Sequence, residues 1–189
     1  MFHHNLSPNL ILGYHGCDKS VGQKLLRGKP FKPSQNDYDW LGPGIYFWEA
    51  NPERAKSFAI EQQKRGRIRE PFVVGAALTL GNCIDTLNEA NINAIRIAHE
   101  QLKSDLRKQG KVLPQNTGKN KVLKRLDCAV IVRLHELAKK GNLQPADSVR
   151  GLYYEGAPVY RTSAFYAKSH CQICIINPEC IKGVFLPRL

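Results

Sequence analysis

The sequence predicts an α+β fold, built as a single domain over residues 1–189. Three observations predict it. Two short apolar runs near the start, 11–16 and 42–48, are bounded by glycines and have the length of buried strands. The middle of the chain carries two long stretches, 88–109 and 121–140, whose apolar residues recur at helical spacing. Beyond them the pattern returns to short strands. Hydrophobic residues make up 42% and charged residues 23%, an ordinary globular mixture, and the length suffices to bury a core.

Each element has its own signals. Residues 1–9 read as an arm. After the first strand, 20–27 reads as a short helix with Val21, Leu25 and Leu26 on one face, stopped by Gly28 and Pro30. A polar loop over 29–40 leads to the second strand. Asn51-Pro52-Glu53 starts a helix with a capping side chain, a proline in the first turn and an acid at the positive end. That helix sets Ala55, Phe58 and Ala59 on one face and ends at Gly66. Residues 72–80 form a strongly apolar strand, turned by Gly81-Asn82; Asp85 and Asn88 both suit the next cap. The helix over 88–109 aligns Ile95, Ala98, Leu102 and Leu106. The one over 121–140 aligns Leu123, Leu126, Val130, Leu134 and Leu137 and stops at Gly141. Together, at about 86–143, they read as a basic helical insertion between strands. Further strands are expected at 149–154, 171–176 and 184–186, with an aromatic-bearing loop at 163–168.

The net charge of +12 predicts attraction to polyanions. Residues 102–140 hold eleven Lys or Arg against three Asp or Glu, a clustering that suits a nucleic acid or an acidic protein partner. Lys121, Lys124 and Arg125 are the candidate nucleic-acid contacts. No Trp, Tyr or Phe occurs from 73 to 152, so that region cannot read bases by stacking. The six cysteines are too sparse for a disulfide scaffold. Cys171 and Cys174 share a C-x-x-C spacing within a strand-like run, where residues three apart face opposite ways, so no metal is expected. No apolar run approaches the ~20 residues of a membrane span. Met1-Phe2-His3-His4-Asn5 lacks the charged start and apolar core of a signal peptide. A cytoplasmic location, or export without a recognisable signal, is expected, with no membrane partner.

Two motifs carry the chemistry. Tyr14-His15-Gly16 ends the first strand, and Gly42-Pro43-Gly44-Ile45-Tyr46-Phe47 forms the second, followed by a helix with Phe58 twelve residues beyond Tyr46. In this order and spacing they resemble the ADP-ribosyltransferase superfamily, in the branch of diphtheria toxin and the poly(ADP-ribose) polymerases. The resemblance covers about 10–60 and 145–187. It implies split mixed β-sheets around an NAD cleft with flanking helices, NAD+ as co-substrate, and His15 and Tyr46 facing one cleft.

The resemblance also assigns roles. His15 would donate to ribose hydroxyls, and the backbone of Gly16 would pair with the nicotinamide carboxamide. Cys17 stands where the polymerases have Ser, and Gly44 belongs to the close glycine approach. Tyr46 and Phe58 would stack on nicotinamide. The third catalytic position falls on Gln172, where the most active members have Glu, so the triad is His15, Tyr46 and Gln172. A glutamine holds a ribose hydroxyl but supplies no negative charge, which favours transfer of one ADP-ribose over chain elongation. Glu155 and His170 are the acceptor-side candidates, His170 sharing a strand face with Gln172. The expectation is a small mono-ADP-ribosyltransferase of toxin, effector or antiphage type, acting on nucleic acid or protein, with an inhibitory antitoxin as a further partner. The alternative is an inactive module of the same fold that binds NAD, ADP-ribose or nucleic acid.

Overall fold

The computed structural model describes residues 10–118 and 123–189. Its strands are β1 Ile11–Asp18, β2 Ile45–Glu49, β3 Pro71–Leu78, β4 Cys83–Asp85, β5 Ser148–Tyr153, β6 His170–Ile175 and β7 Ile181–Phe185. Its helices are α1 Lys19–Leu26, α2 Pro52–Lys64, α3 Glu89–Lys108 and α4 Arg125–Lys140. The seven strands join in the order β4-β5-β6-β2-β1-β3-β7. Neighbours are antiparallel except β4 and β5, which are parallel. A parallel pair needs a long crossover, and α3 and α4 supply it. The 86–143 segment is therefore the link between adjacent strands of the sheet.

The sheet is one piece, which corrects the expectation of two. It is nonetheless almost divided. β1 and β3 run together through eight register pairs, from Ile11↔Leu78 to Asp18↔Pro71. β1 and β2 share only Gly13↔Glu49 and Tyr14↔Trp48.

Side chains alternate between the two faces. Opposite residues share a face, so the register sets Tyr14, Trp48 and Gln172 together, with Tyr46 and Cys174 alongside. We call this the upper face. His15, Phe47 and Ile173 point to the lower one. Below, Ile45, Phe47, Ala76, Leu78, Ile173 and Ile175 form a fully buried core, with Phe31 packed on it. Above, α2 lays Ala55 against Trp48 and Val73, while Ile131 of α4 closes over Leu41, Val149 and Cys174. α1 rests on the lower face, where a Cβ on Gly22 would lie 2.2 Å from the Phe72 ring.

Local signals set most boundaries. Asn51 accepts from the Arg54 N–H at 2.9 Å. Asn88, not Asp85, caps α3; Asp85 ends β4 and pairs with Arg150 at 3.0 Å. Arg150 also grips Glu49 through two nitrogens, at 2.6 and 3.1 Å. α4 begins at Arg125, four residues later than the apolar spacing suggests, and Arg133 within it pairs with Asp105 of α3. All six cysteines are free. Among the described residues no group of side chains could hold a metal ion, and no helix is long and apolar enough to cross a membrane.

Candidate functional site

The site begins where β1 and β2 part. Two residues further along the register, Gly16 would face Tyr46, but the ladder stops at Tyr14↔Trp48. The Ala50 N–H donates to the Leu12 carbonyl at 2.8 Å, so the peptide groups of Leu12, Tyr14 and Gly16 point towards β2 by alternation. The N–H and C=O of Gly16 thus face the gap. On the other side of the gap, the Tyr46 carbonyl takes a hydrogen bond from His15 Nδ1 at 2.9 Å.

That bond fixes the tautomer, because a carbonyl only accepts. Nδ1 carries the hydrogen and Nε2 keeps a lone pair. Phe31 and Phe47 surround the ring at 5.5 and 5.9 Å, and this burial lowers the His15 pKa, keeping the imidazole neutral. Two expectations change. His15 presents an acceptor at Nε2 and not a donor, and it lies on the face opposite the Tyr46 ring. The two residues meet through a backbone carbonyl across the seam.

The other motif residues are more enclosed than a ligand-lining role suggests. A Cβ on Gly16 would lie 2.2 Å from the Ala55 carbonyl, so α2 can approach only because the residue is glycine. Cys17 is buried on the lower face, away from Phe58, with its thiol pushed up to about 11 by burial. The backbone of Gly44 pairs with Ser34 at 2.7 and 3.0 Å, and a Cβ there would meet Cys174 Sγ at 2.4 Å. Gly44 is a packing glycine, which corrects its assignment to the cofactor. The Tyr46 hydroxyl donates to the Gly42 carbonyl at 2.8 Å and accepts from the Leu41 N–H at 3.0 Å. It braces the turn before β2, and burial raises its pKa. Phe58 packs at a tilt on Trp48, with ring centroids 4.9 Å apart, so the ring pair beside the gap is Trp48–Phe58 and not Tyr46–Phe58.

A polar cluster lies beside that pair on the upper face. Gln172 Oε1 accepts from Trp40 Nε1 at 2.6 Å. Trp40 packs on Tyr153 at 5.1 Å, and Tyr153 on His170 at 5.6 Å. His170 Nδ1 donates to the Lys168 carbonyl at 2.6 Å and lies 4.0 Å from Glu155. Glu155 binds Arg54 Nη2 at 2.7 Å, and the Arg54 guanidinium sits 5.9 Å over the Trp48 ring. Burial, reinforced by Arg54 and opposed by Glu155, lowers the His170 pKa. Four polar atoms of this cluster are buried without a hydrogen bond: Trp48 Nε1, Arg54 Nε, Arg54 Nη1 (3.6 Å from Glu61) and His170 Nε2. Buried polar groups are normally paired, so such a concentration marks a place for ordered water or a ligand.

The structure thus brings Gln172, His170 and Glu155 together with Trp48 and Arg54, and sets His15 beneath them. Arg54 and Trp48 are the residues that sequence reasoning missed. The signal for Arg54 was its position four before Phe58, which puts an arginine on the apolar face of α2. The proposed nucleic-acid contacts separate. Lys124 Nζ lies 5.6 Å over the Tyr153 ring, at the rim of the cluster. Arg125 pairs with Asp37 at 2.8 Å. Lys121 falls outside the described residues.

A cavity of about 720 Å³ lies elsewhere, between α1 and the α2–β3 connection. The Asp18 carboxylate there is committed to the N–H groups of Ser20 and Arg69, at 3.0 and 2.7 Å, as a structural brace.

The chain is 26% identical over 185 residues to an uncharacterised protein of Methanocaldococcus jannaschii, a match covering 89% of this chain and 83% of that protein. No protein-family model and no solved structure matches the chain.

Proposed function

We propose that the protein is an NAD+-dependent mono-ADP-ribosyltransferase that passes one ADP-ribose to a macromolecular acceptor. The observation that carries this reading is the break in the β1–β2 ladder. It leaves the N–H and C=O of Gly16 facing a gap opposite Tyr46, between the two motifs that resemble the transferases. A carboxamide offers one donor and one acceptor in a plane, which matches the unpaired edge of Gly16. The fit is partial, since Phe58 is engaged by Trp48.

In the reaction the bond between the nicotinamide nitrogen and ribose C1′ breaks, nicotinamide leaves neutral, and the acceptor atom bonds C1′ and gives up its proton. The chain's residues position these parts and take that proton. His15 Nε2, a lone-pair acceptor, suits a ribose hydroxyl. The Gln172 amide nitrogen remains available while its oxygen holds Trp40. His170 Nε2, neutral and without a partner, suits the acceptor's proton. No carboxylate takes the third catalytic position, so the positive charge developing on C1′ is offset by dipoles alone, which suits a single transfer.

The test incubates the protein with labelled NAD+ and, in parallel, total RNA, single-stranded DNA and cell protein. The expected result is label on one acceptor class with nicotinamide released, and loss of at least tenfold in Gln172→Ala. NAD+ that is neither bound nor consumed with any acceptor overturns the proposal. The neutral Gln172 supports a second reading, an inactive module of the same fold; binding of NAD+ without consumption would establish it.

A further inference from the structure

The segment between β5 and β6 folds back on itself as an irregular hairpin, held by the isolated bridge Pro158↔Tyr166 and a few backbone bonds. The Val159 N–H donates to the Phe165 carbonyl at 3.0 Å, Ala167 to Ala157 at 2.9 Å and Lys168 to Glu155 at 2.9 Å. At its tip the Ser163 N–H donates to the Tyr160 carbonyl at 3.0 Å, and the Ser163 hydroxyl takes the Phe165 N–H at 2.9 Å. On this frame Tyr154, Tyr160, Phe165 and Tyr166 are 63%, 61%, 68% and 38% exposed. Every exposed aromatic side chain among the described residues lies on this hairpin. Elsewhere the aromatic rings are used for packing.

Cations flank the rings. Arg161 is at the tip, Lys124 reaches over Tyr153 at the adjoining rim, and Lys168 at the base is paired with Glu61 at 2.8 Å. Glu155, the acid of this segment, is bound to Arg54. The base of the hairpin runs directly into His170, whose Nε2 is buried without a partner. Exposed rings on a hydrogen-bonded support, an arginine at its tip and a strongly positive chain suit a polymer with flat faces and negative charge. A duplex hides its base faces and would leave the rings unused.

We propose that the 154–169 hairpin is a stacking platform for single-stranded nucleic acid, which seats bases on Tyr160 and Phe165 and brings a nucleotide to Glu155 and His170. Its role as the ADP-ribose acceptor rests on the transferase reading above; its binding does not. The two regions complement each other: the α3–α4 region carries charge but no Trp, Tyr or Phe, and the hairpin supplies the rings.

The experiment measures anisotropy of fluorescein-labelled single-stranded dT12 and U12 and of a 12-base-pair DNA duplex, without NAD+. Single strands are expected to bind more tightly than the duplex. The double variant Tyr160→Ala/Phe165→Ala should weaken single-strand binding at least ~tenfold, as loss of base stacking does. Tyr160→Leu/Phe165→Leu should weaken it equally, since it keeps apolar surface and loses the rings. These side chains are mostly exposed, so the fold is retained. Preference for dT12 or for U12, or none, supports the platform and names the sugar it accepts. Wild-type affinity in the alanine variant, equal duplex binding, or no oligonucleotide binding overturns the proposal. Failure of the labelled-NAD+ assay leaves this measurement intact, so the two readings fail separately.

Discussion

The sheet carries two histidines near one seam, and their surroundings differ. Below, His15 gives its Nδ1 hydrogen to the Tyr46 carbonyl amid Phe31 and Phe47. Above, His170 gives its Nδ1 hydrogen to Lys168, but its Nε2 joins Trp48 and Arg54 in a group of buried atoms without partners. An unpaired buried polar group costs about 1–3 kcal/mol. Folding alone gives no reason to gather several in one patch. On the lower face the histidine links the two halves of the sheet, and on the upper face the unpaired polar atoms collect.

The strongest way to break that comparison is Arg54→Ala. It strands Glu155 beside a buried void, while Glu61 keeps Lys168 at 2.8 Å, and we expect a loss of about 3 kcal/mol in urea unfolding. Partial exposure of both carboxylates keeps the cost towards the low end of the range for a buried pair. A loss below ~1 kcal/mol would show that the cluster behaves as solvated surface.

An acid titration sharpens the comparison. His15, His135 and His170 all have lowered pKa values in the fold. The unfolded chain then binds more protons just below its own value of ~6.5. Stability is therefore complete above about pH 6.5 and falls as pH drops through the folded values, by up to ~1.4 kcal/mol per pH unit for each histidine. Thermal melts from pH 7.5 to 5 should follow this, with a shallower slope in His15→Gln and in His170→Gln. Stability that stays flat or rises on acidification would mean that the fold does not disfavour the charged rings, against the neutral tautomers above.

The smallest effect is expected from Tyr46→Phe. It removes the brace to Leu41 and Gly42 while keeping the ring, at a cost of about 1 kcal/mol, with transfer unchanged within a few-fold. Unchanged stability with abolished transfer would show that the hydroxyl touches substrate and not the turn.

Much of this arrangement was legible in the sequence. The strand runs, the Asn51 cap and the strand face shared by His170 and Gln172 are encoded locally, by alternation and capping chemistry. The face of His15 was not. It depends on which β2 residue sits opposite Tyr14, a pairing set thirty-four residues away (Tyr14↔Trp48). Arg54 was hidden for the same reason, since its partner Glu155 lies 101 positions along. β4 spans three residues, too few for any periodicity to show. Gly44 was misjudged because a glycine that admits a ligand and one that admits Cys174 look alike in one dimension. The start of α4 was misjudged because the apolar spacing continues from Leu126 back to Leu123 without marking where the backbone turns.

The seam has a topological consequence. β1, β3 and β7 lie on one side of it and β2, β4, β5 and β6 on the other. Followed from its start, the chain crosses between the sides four times, after β1, β2, β3 and β6. No contiguous fragment consists of one half alone. The halves are laced by four covalent crossings where hydrogen bonding is thinnest, so they can part beside Gly16 only as far as those crossings bend.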